Sequence, residues 1–198
     1  MKKLLLIFIF FISLTGCSII NRKPPEMTSY LKGLNSYSVD MDIKVINQRQ
    51  NLEYSGRQMF LIGLGYKLEL NNDKVMIYRD DKIYVTDLYN KQKYVTDENF
   101  DDVLRLSFLG EFIGLFYTNQ NIEKKYTQIN DMNYELIKTS LNCPNRNLSY
   151  GILYINISDK KPEKLSIYDY KGNEKLLITY KNFEANAKLS KTLFDINK

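Results

Sequence analysis

The feature that most limits the fold is a stretch of strictly alternating side chains at residues 36–45. Apolar side chains occupy every second position, and polar or charged side chains lie between them. This period of two indicates a β-strand with one buried and one solvated face, as in antiparallel sheets covered on one side. The apolar set is Tyr37, Val39, Met41, Ile43 and Val45, and the polar set is Ser38, Asp40, Asp42 and Lys44.

Short strands recur along most of the chain. Turn-forming residues such as Asn71-Asn72-Asp73 and Lys171-Gly172-Asn173 separate them. The pattern predicts one domain of the α+β class, a curved, mostly antiparallel, incomplete β-barrel of about ten strands wrapped around two helices. Besides 36–45, the predicted strands are residues 58–64, 66–70, 74–78, 82–86, 93–96, 124–129, 134–139, 148–158, 165–170 and 174–180.

Two segments are predicted to be helical. The first begins at Pro25 or Thr28 and reaches about Leu34, with apolar side chains at helical spacing. The second covers residues 97–117 and begins with acidic residues, which suit the positive end of a helix dipole. A short helical turn is also expected at residues 189–193. The second helix is very apolar, and its main apolar side chains are Phe100, Leu104, Phe108, Phe112 and Phe116.

The sequence leaves two interpretations of the second helix open. It is either a plug fixed on the open face of the sheet, as an unbroken or a broken helix, or a movable lid over an apolar cavity, and the plug is favoured. Gly110 and Gly114 lower its helix propensity, or they allow another group to pack close to the backbone. In both cases its five apolar side chains form the candidate site.

The N-terminus predicts export and a lipid anchor. Lys2 and Lys3 precede an unbroken apolar run at residues 4–12, and Leu14-Thr15-Gly16-Cys17 follows. A basic start, a short apolar stretch and small residues before a cleavage point are typical of a secretory signal. The run is shorter than the roughly 20 apolar residues that a spanning helix needs. The last four residues resemble a bacterial lipobox, whose cysteine accepts two acyl chains, enough for stable anchoring.

This interpretation divides the chain into three parts. Residues 1–16 are a lipoprotein signal peptide, residues 17–25 are a lipidated tether with two prolines, and residues 26–198 are the folded domain. The mature chain is then extracytoplasmic and is anchored to a membrane through Cys17. Lys, Asn, Ile and Tyr are abundant and have AT-rich codons, which favours a low-GC, Gram-positive source.

Composition argues against several classes of function. The chain has no histidine, so it lacks the commonest general base and the commonest metal ligand. Its net charge is +5, or +3 once Lys2 and Lys3 are removed with the leader. Its lysines are scattered among acids and do not form the basic patch that is typical of nucleic-acid-binding proteins. The acid pairs Asp80-Asp81 and Asp101-Asp102 suit turns and caps. The sequence therefore predicts a binding protein, not an enzyme, with no catalytic residues, cofactor or metal site.

Two further features concern contacts with other molecules. Once Cys17 carries lipid, Cys143 has no intrachain partner, so it is either an inert thiol, which is favoured, or an intermolecular bridge. Tyr150, Ile152 and Tyr154 lie on one face of a predicted strand. Such a face is either a protein-binding surface or an ordinary part of the core or sheet, and the second is favoured.

Two segments resemble the LolA/LolB-like lipoprotein-carrier superfamily. Residues 66–87 look like that family's three strands with an Asp-Gly turn, with Asp80-Asp81 in place of Asp-Gly. Residues 161–172 are similar to its hairpin of a proline, an apolar strand and Asp-x-x-Gly, and Ile178-Thr179-Tyr180 follows. The resemblance covers most of residues 26–194 and implies a curved, incomplete antiparallel barrel around helices.

With its lipobox and AT-rich composition, the chain resembles the clostridial spore-germination lipoproteins of this superfamily. That resemblance implies a non-enzymatic partner of a cortex N-acetylmuramoyl-L-alanine amidase, which helps to make the muramic-δ-lactam that cortex hydrolases recognise. The protein would face the cortex from a membrane around the forespore, and no motif marks the partner-binding residues. The alternative is a lipid or lipopeptide carrier that uses an apolar half-barrel cavity. An open strand edge could also pair two copies into a homodimer.

Overall fold

The computed structural model describes residues 26–47, 51–97, 102–141, 145 and 147–196. Three of the candidate residues, Cys17, Phe100 and Cys143, lie outside the described residues. The expected leader and the whole of the expected tether, residues 1–25, lie outside them as well.

Strands dominate the described residues, which contain eleven of them, three α-helices and one turn of 3-10 helix. The strands are β1 (Ser36–Ile46), β2 (Asn51–Leu61), β3 (Gly65–Leu70), β4 (Lys74–Arg79), β5 (Lys82–Asp87), β6 (Gln92–Asp97), β7 (Ile122–Ile129), β8 (Met132–Ser140), β9 (Tyr150–Asn156), β10 (Lys161–Tyr168) and β11 (Glu174–Ala185). The helices are α1 (Met27–Lys32), α2 (Asp102–Ser107) and α3 (Leu109–Thr118), and the 3-10 turn is Lys191–Phe194. The predicted α+β class is confirmed.

All eleven strands form one sheet in which every neighbouring pair is antiparallel. The order is β6-β5-β4-β3-β2-β1-β11-β10-β9-β8-β7, so the first and last strands of the chain meet in the middle. Among the described strands, β6 and β7 are the two edges and do not pair with each other. The predicted incomplete, curved antiparallel barrel is therefore confirmed.

One face of the sheet, which we call the inner face, packs against the helices and carries the core. On β1 it bears Tyr37, Val39, Met41 and Ile43, each at most 1% exposed. These side chains join the apolar side chains of all three helices in one buried cluster. Each such side chain contributes about 1.5–3 kcal/mol when it is fully buried, so the alternation of β1 directly drives the packing. The opposite, outer face of β1 bears Asp40, Asp42 and Lys44.

Three tight hairpin turns are built from non-glycine residues with positive φ. Two successive positive φ angles are required by type I′ turns, which match the twist of the strands they join. Asn and Asp tolerate this conformation better than other non-glycine residues. This explains how two aspartates can stand where the LolA/LolB-like pattern has Asp-Gly. The pairs are Asn71 and Asn72 (φ 49° and 61°), Asp80 and Asp81 (53° and 60°), and Asn130 and Asp131 (48° and 64°).

The structure differs from the sequence prediction in the extent of several elements. The helix predicted at residues 97–117 is two helices, α2 and α3, separated at Phe108, whose φ of −71° and ψ of 121° are extended. Strand β2 begins at Asn51 rather than at residue 58, and it pairs with β1 along its whole length. Its first half is exposed or half-buried, so no apolar alternation marks it. The described residues thus contain as many strands as the eleven predicted segments, and one helix more than predicted.

Candidate functional site

Helix α3 covers the inner face of the sheet and fills it. Leu109 and Phe112 of α3, and Phe108 just before it, are fully buried, and Phe116 is 4% exposed. The rings of Phe112 and Phe116 meet edge to face at 5.6 Å, and the ring of Phe108 meets that of Tyr78 at 4.6 Å. Aromatic pairs of this geometry add about 0.5–1.5 kcal/mol each beyond the burial of their area.

Four of the five side chains predicted to form a plug or a lid lie in the described part of the chain. Phe108, Phe112 and Phe116 belong to the buried cluster, and Leu104 of α2 is half-buried against it. The structure therefore brings these four together on the inner face. The fifth, Phe100, lies outside the described residues.

Two glycines allow the helix and the sheet to approach closely. A Cβ on Gly110 would lie 2.3 Å from Cε1 of Tyr66, and a Cβ on Gly151 would lie 2.6 Å from Cε2 of Phe112. A Cβ on Gly114, in contrast, would meet nothing within 4 Å. Of the two helix glycines, only Gly110 therefore has the close-packing role that the sequence left open.

A buried group of polar side chains joins the start of α3 to the sheet. Gln58 of β2 is fully buried. Its Oε1 accepts hydrogen bonds from the backbone N–H of Leu109 and from the Tyr37 hydroxyl, both at 3.0 Å. Its Nε2 donates to the backbone oxygen of Ser107 at 3.0 Å. The Tyr37 hydroxyl in turn accepts a hydrogen bond from the backbone N–H of Gly110 at 3.0 Å.

A third side chain, Tyr180 of β11, donates from its hydroxyl to the same oxygen of Ser107 at 3.2 Å. We call Gln58, Tyr37 and Tyr180 the clamp. The first N–H groups of a helix have no partner within it, and Phe108 at the N-cap offers no side-chain oxygen, so the clamp supplies the missing partners. Burial raises the pKa of Tyr37 and of Tyr180 well above the usual tyrosine range, so both hydroxyls stay protonated.

No member of the clamp is among the sequence-based candidates. Gln58 stands at an inward position of β2, paired with Val39 of β1 and Leu68 of β3, and both neighbours are fully buried. A polar residue at an inward position of an alternating strand is the signal that could have identified it. Its partners Leu109 and Gly110 are far along the chain, so the sequence offers no sign of the contact itself.

In the part of the chain that the structure describes, the groove beside α3 offers little space for a ligand. This groove of about 240 Å³ lies between α1, α3 and strands β2 and β3, and its lining is mainly apolar. Drug-sized ligands use pockets of roughly 300–1,000 Å³. Two rim side chains, Ile62 and Tyr117, are 62% and 66% exposed. Lys32 closes one side, because its Nζ donates to the backbone oxygen of Phe116 at 2.9 Å. The groove therefore has room for a short apolar group only.

The outer face of β8, β9 and β10 carries a row of half-buried tyrosines. The rings of Tyr150 and Tyr168 stack at 5.0 Å and 14°. The Nζ of Lys138 lies 5.2 Å from the ring centre of Tyr150, and the Nζ of Lys164 lies 3.9 Å from that of Tyr154. These rings belong neither to the core nor to a fully exposed patch, and lysines cover part of them.

The described residues contain few groupings of side chains that could act in catalysis. Within them, no three His, Cys, Asp or Glu side chains come close enough to hold a metal ion. The acids Asp80 and Asp81 occupy the turn between β4 and β5. Across the same residues, we find no helix with the length and apolar character needed to cross a membrane.

Comparison with protein families identifies the group to which the chain belongs. Residues 1–194 match the family model described as sporulation protein YdcC-like. The chain belongs to the YdcC-like family of sporulation proteins. A search of curated protein sequences finds no match.

Solved structures show the same fold. An uncharacterized conserved protein from Thermus thermophilus matches with a TM-score of 0.56 and 8% identity over 84% of this chain and 88% of that chain. The structure of the CwlD amidase from Clostridioides difficile in complex with the GerS lipoprotein contains a chain that matches with a TM-score of 0.50 and 23% identity. The match covers 79% of this chain and 89% of that chain. A LolA superfamily protein from Nitrosomonas europaea matches with a TM-score of 0.41 and 11% identity over 82% of this chain and 91% of that chain. This TM-score is too low to support an inference. The predicted resemblance is confirmed, and at these identities it concerns the fold.

Proposed function

We propose that this chain is a non-enzymatic lipoprotein that binds and supports a cortex N-acetylmuramoyl-L-alanine amidase during the cortex modification needed for germination. The observation that carries the proposal is the filled inner face, which leaves the outer surface as the place of action. Two comparisons support it: the family is one of sporulation proteins, and the GerS lipoprotein, which shares the fold, was solved in complex with the CwlD amidase.

The filled inner face argues against the alternative of a lipid or lipopeptide carrier. Lifting α3 off the sheet would break four hydrogen bonds between the clamp and residues 107–110. It would also expose Phe108, Phe112 and Phe116, at about 1.5–3 kcal/mol for each side chain. Since the groove beside α3 holds only about 240 Å³, a carrier would need this costly opening for each cargo. We therefore interpret α3 as a plug.

The proposed anchor is a lipid on Cys17 after removal of residues 1–16. The nine residues from Cys17 to Glu26 can reach about 30 Å when extended, so the domain of residues 26–198 would stay close to the membrane. We place that membrane around the forespore, with the domain facing the cortex. We keep the interpretation of Cys143 as an inert thiol and a bridge between chains as its alternative.

Of the two edge strands, β6 is the better candidate for pairing two copies into a homodimer. Its Tyr94 and Val95 are 46% and 54% exposed, and Leu88 and Tyr89 in the adjoining turn are also exposed. The other edge, β7, exposes Tyr126 and Ile129 as well, but it also carries three consecutive charged residues at positions 123–125. Charged side chains on an edge discourage pairing with another strand, whereas exposed apolar side chains favour it.

The test uses the mature chain from residue 17, with Cys17→Ser to prevent lipidation, and the cortex amidase of the same organism. We expect a joint peak on size exclusion with light scattering, and amidase activity on cortex peptidoglycan that rises on mixing. The masses also report whether the lipoprotein alone is a monomer or a dimer. No joint peak, together with lipid detected by mass spectrometry of the purified lipoprotein, would overturn the proposal in favour of the carrier.

A further inference from the structure

Strands β10 and β11 pair over only part of their lengths. The ladder between them ends at Lys164 and Thr179. Beyond that point, and among the described strands, β10 pairs only with β9, while β11 continues to Ala185 paired only with β1. The two strands therefore diverge. We call the gap between residues 161–163 of β10 and residues 180–185 of β11 the fork.

One extra residue in each strand bends the two apart. In β10, Pro162 and Lys164 pair with consecutive residues of β9, so Glu163 between them is a bulge. In β11, two residues between positions 181 and 184 face one residue of β1, and the first of them, Asn182, has a φ of 52°. Bulges bend strands and end their pairing, and they are common beside functional sites.

Side-chain hydrogen bonds fix both bulges. The Glu163 carboxylate accepts from the Tyr134 hydroxyl at 2.5 Å and from Nδ2 of Asn156 at 3.0 Å. The hydrogen bond to Glu163 raises the pKa of Tyr134 to about 12, so the hydroxyl remains a donor at physiological pH. In β11, Nδ2 of Asn182 donates to Oδ2 of Asp40 at 2.9 Å. The divergence of the two strands is therefore stabilised by specific side-chain hydrogen bonds.

The fork borders an open cavity of about 440 Å³. With strands about 4.8 Å apart, a rise of about 3.3 Å per residue and a sheet thickness of about 10 Å, one residue of a sheet occupies about 160 Å³. The cavity also extends to Ile129 of β7 and Tyr134 of β8, so the part between β10 and β11 has room for at most about three residues of extended chain. Its lining is mainly aromatic and apolar, and it also includes Lys161, Lys164 and Glu163, whose carboxylate already accepts the two hydrogen bonds described above.

Backbone chemistry favours an extended peptide as the occupant. A strand edge presents N–H and C=O groups at regular intervals, and another extended backbone is the ligand that satisfies such a row. On the β10 side, Pro162 has no N–H, so the edge of β11 is the more complete template. Lys164 adds a charge preference, because within the described residues its ammonium faces the Tyr154 ring and forms no ion pair.

We propose that the fork binds an extended segment of the amidase, about three residues long and with an acidic side chain near Lys164, by adding it to the edge of β11. The inference rests on the proposed function, because it takes the amidase as the partner. It adds to that function the surface and the mode of binding.

The first test is hydrogen exchange of the lipoprotein, alone and in complex with the amidase. Within residues 180–185, we expect the backbone amides that do not already donate to β1 to exchange about tenfold or more slowly in the complex, because these edge groups gain hydrogen bonds. Strand β6, the far edge of the sheet, serves as the internal control, and both samples have the same lipoprotein concentration so that any pairing of two copies through β6 is matched. A complex that forms without this protection overturns the inference and leaves the proposed function standing. Failure to form a complex overturns both, and protection that grows with lipoprotein concentration alone would assign the fork to a second copy.

The second test fills the fork. Lys161, the first residue of β10, is exposed and lines the cavity, so Lys161→Trp should raise the Kd for the amidase about tenfold or more by occupying the peptide's place. Lys82→Trp is the matched control, because Lys82 is an exposed lysine at the first position of β5. Circular dichroism checks that both variants fold. Equal affinities of the two folded variants would overturn the inference.

Discussion

Backbone polar groups have hydrogen-bond partners on the inner face, whereas at the fork a strand edge lacks a neighbouring strand. On the inner face, the clamp supplies hydrogen-bond partners to the start of α3, and the apolar side chains around it are almost wholly buried. At the fork, two bulges separate β10 from β11 and leave the edge of β11 beyond Thr179 without a strand partner among the described residues. A closed interior beside an open backbone edge is the arrangement that the proposed role, contact with a partner at the surface, requires.

The largest effect is expected from Phe112→Ala, which removes the centre of the plug. Phe112 is fully buried and packs against Phe116 and Gly151, so the cavity should lower the free energy of unfolding by about 3–5 kcal/mol. Urea denaturation followed by circular dichroism measures this. The control on the same helix is Tyr117→Ala, which is 66% exposed and should change stability by less than about 1 kcal/mol. A loss below about 1 kcal/mol for Phe112→Ala would support a loosely held lid instead.

Gln58→Leu tests the clamp with little change of volume. It leaves the N–H of Leu109 without its acceptor and removes a donor to Ser107, and each buried group left unpaired costs about 1–3 kcal/mol. We expect a loss of about 2–4 kcal/mol, together with binding of an apolar fluorescent dye as α3 loosens. Gln128→Leu, at an exposed position of β7, makes the same chemical change and should neither lower the stability nor cause dye binding. Unchanged stability of Gln58→Leu would contradict a structural role for the clamp.

The two helix glycines should respond with opposite signs. Gly110→Ala places a Cβ 2.3–2.7 Å from the Tyr66 ring, which is held between Phe60 and Phe108, so it should destabilise by about 1–3 kcal/mol. Gly114→Ala meets open space and should stabilise by up to about 1 kcal/mol through helix propensity. Thermal unfolding of both variants measures the difference. Stabilisation by both substitutions would mean that α3 does not sit tightly on the sheet.

Much of the sheet could be predicted because its strands alternate where one face is buried. Strand β1 shows this most clearly, since its inward residues are both apolar and buried. The first half of β2 could not be predicted, because its side chains are largely solvated and its pairing with β1 comes from the neighbouring strand. The sequence allowed a broken helix but could not place the break at Phe108, because the hydrogen bonds that fix it come from Gln58, about fifty residues earlier.

The fork left only a partial trace in the sequence. Pro162 within a strand is a recognisable sign of a bulge or an edge. Asn182 carries no comparable signal, because its positive φ depends on the pairing of β11 with β1 and on its hydrogen bond to Asp40. Local propensity marks such places weakly, since the geometry arises from strands that are distant in the chain.

The smallest effect concerns a turn on the far side of the fork, between β10 and β11. Hydrogen bonds from the Asn173 side chain, then from backbone N–H groups, lower the pKa of Asp169 to about 2. The folded state therefore favours the charged form, so this stabilisation is complete above the unfolded pKa near 4 and is lost as the pH falls towards about 2. Asp169→Asn should make the fall of Tm between about pH 4 and pH 2 shallower. Gln58→Leu, which changes no titrating group, should lower Tm without altering that slope, so the two variants separate the electrostatics of the turn from the packing of the inner face. Equal slopes for the wild type and Asp169→Asn would show that the turn carboxylate contributes no pH-dependent stability.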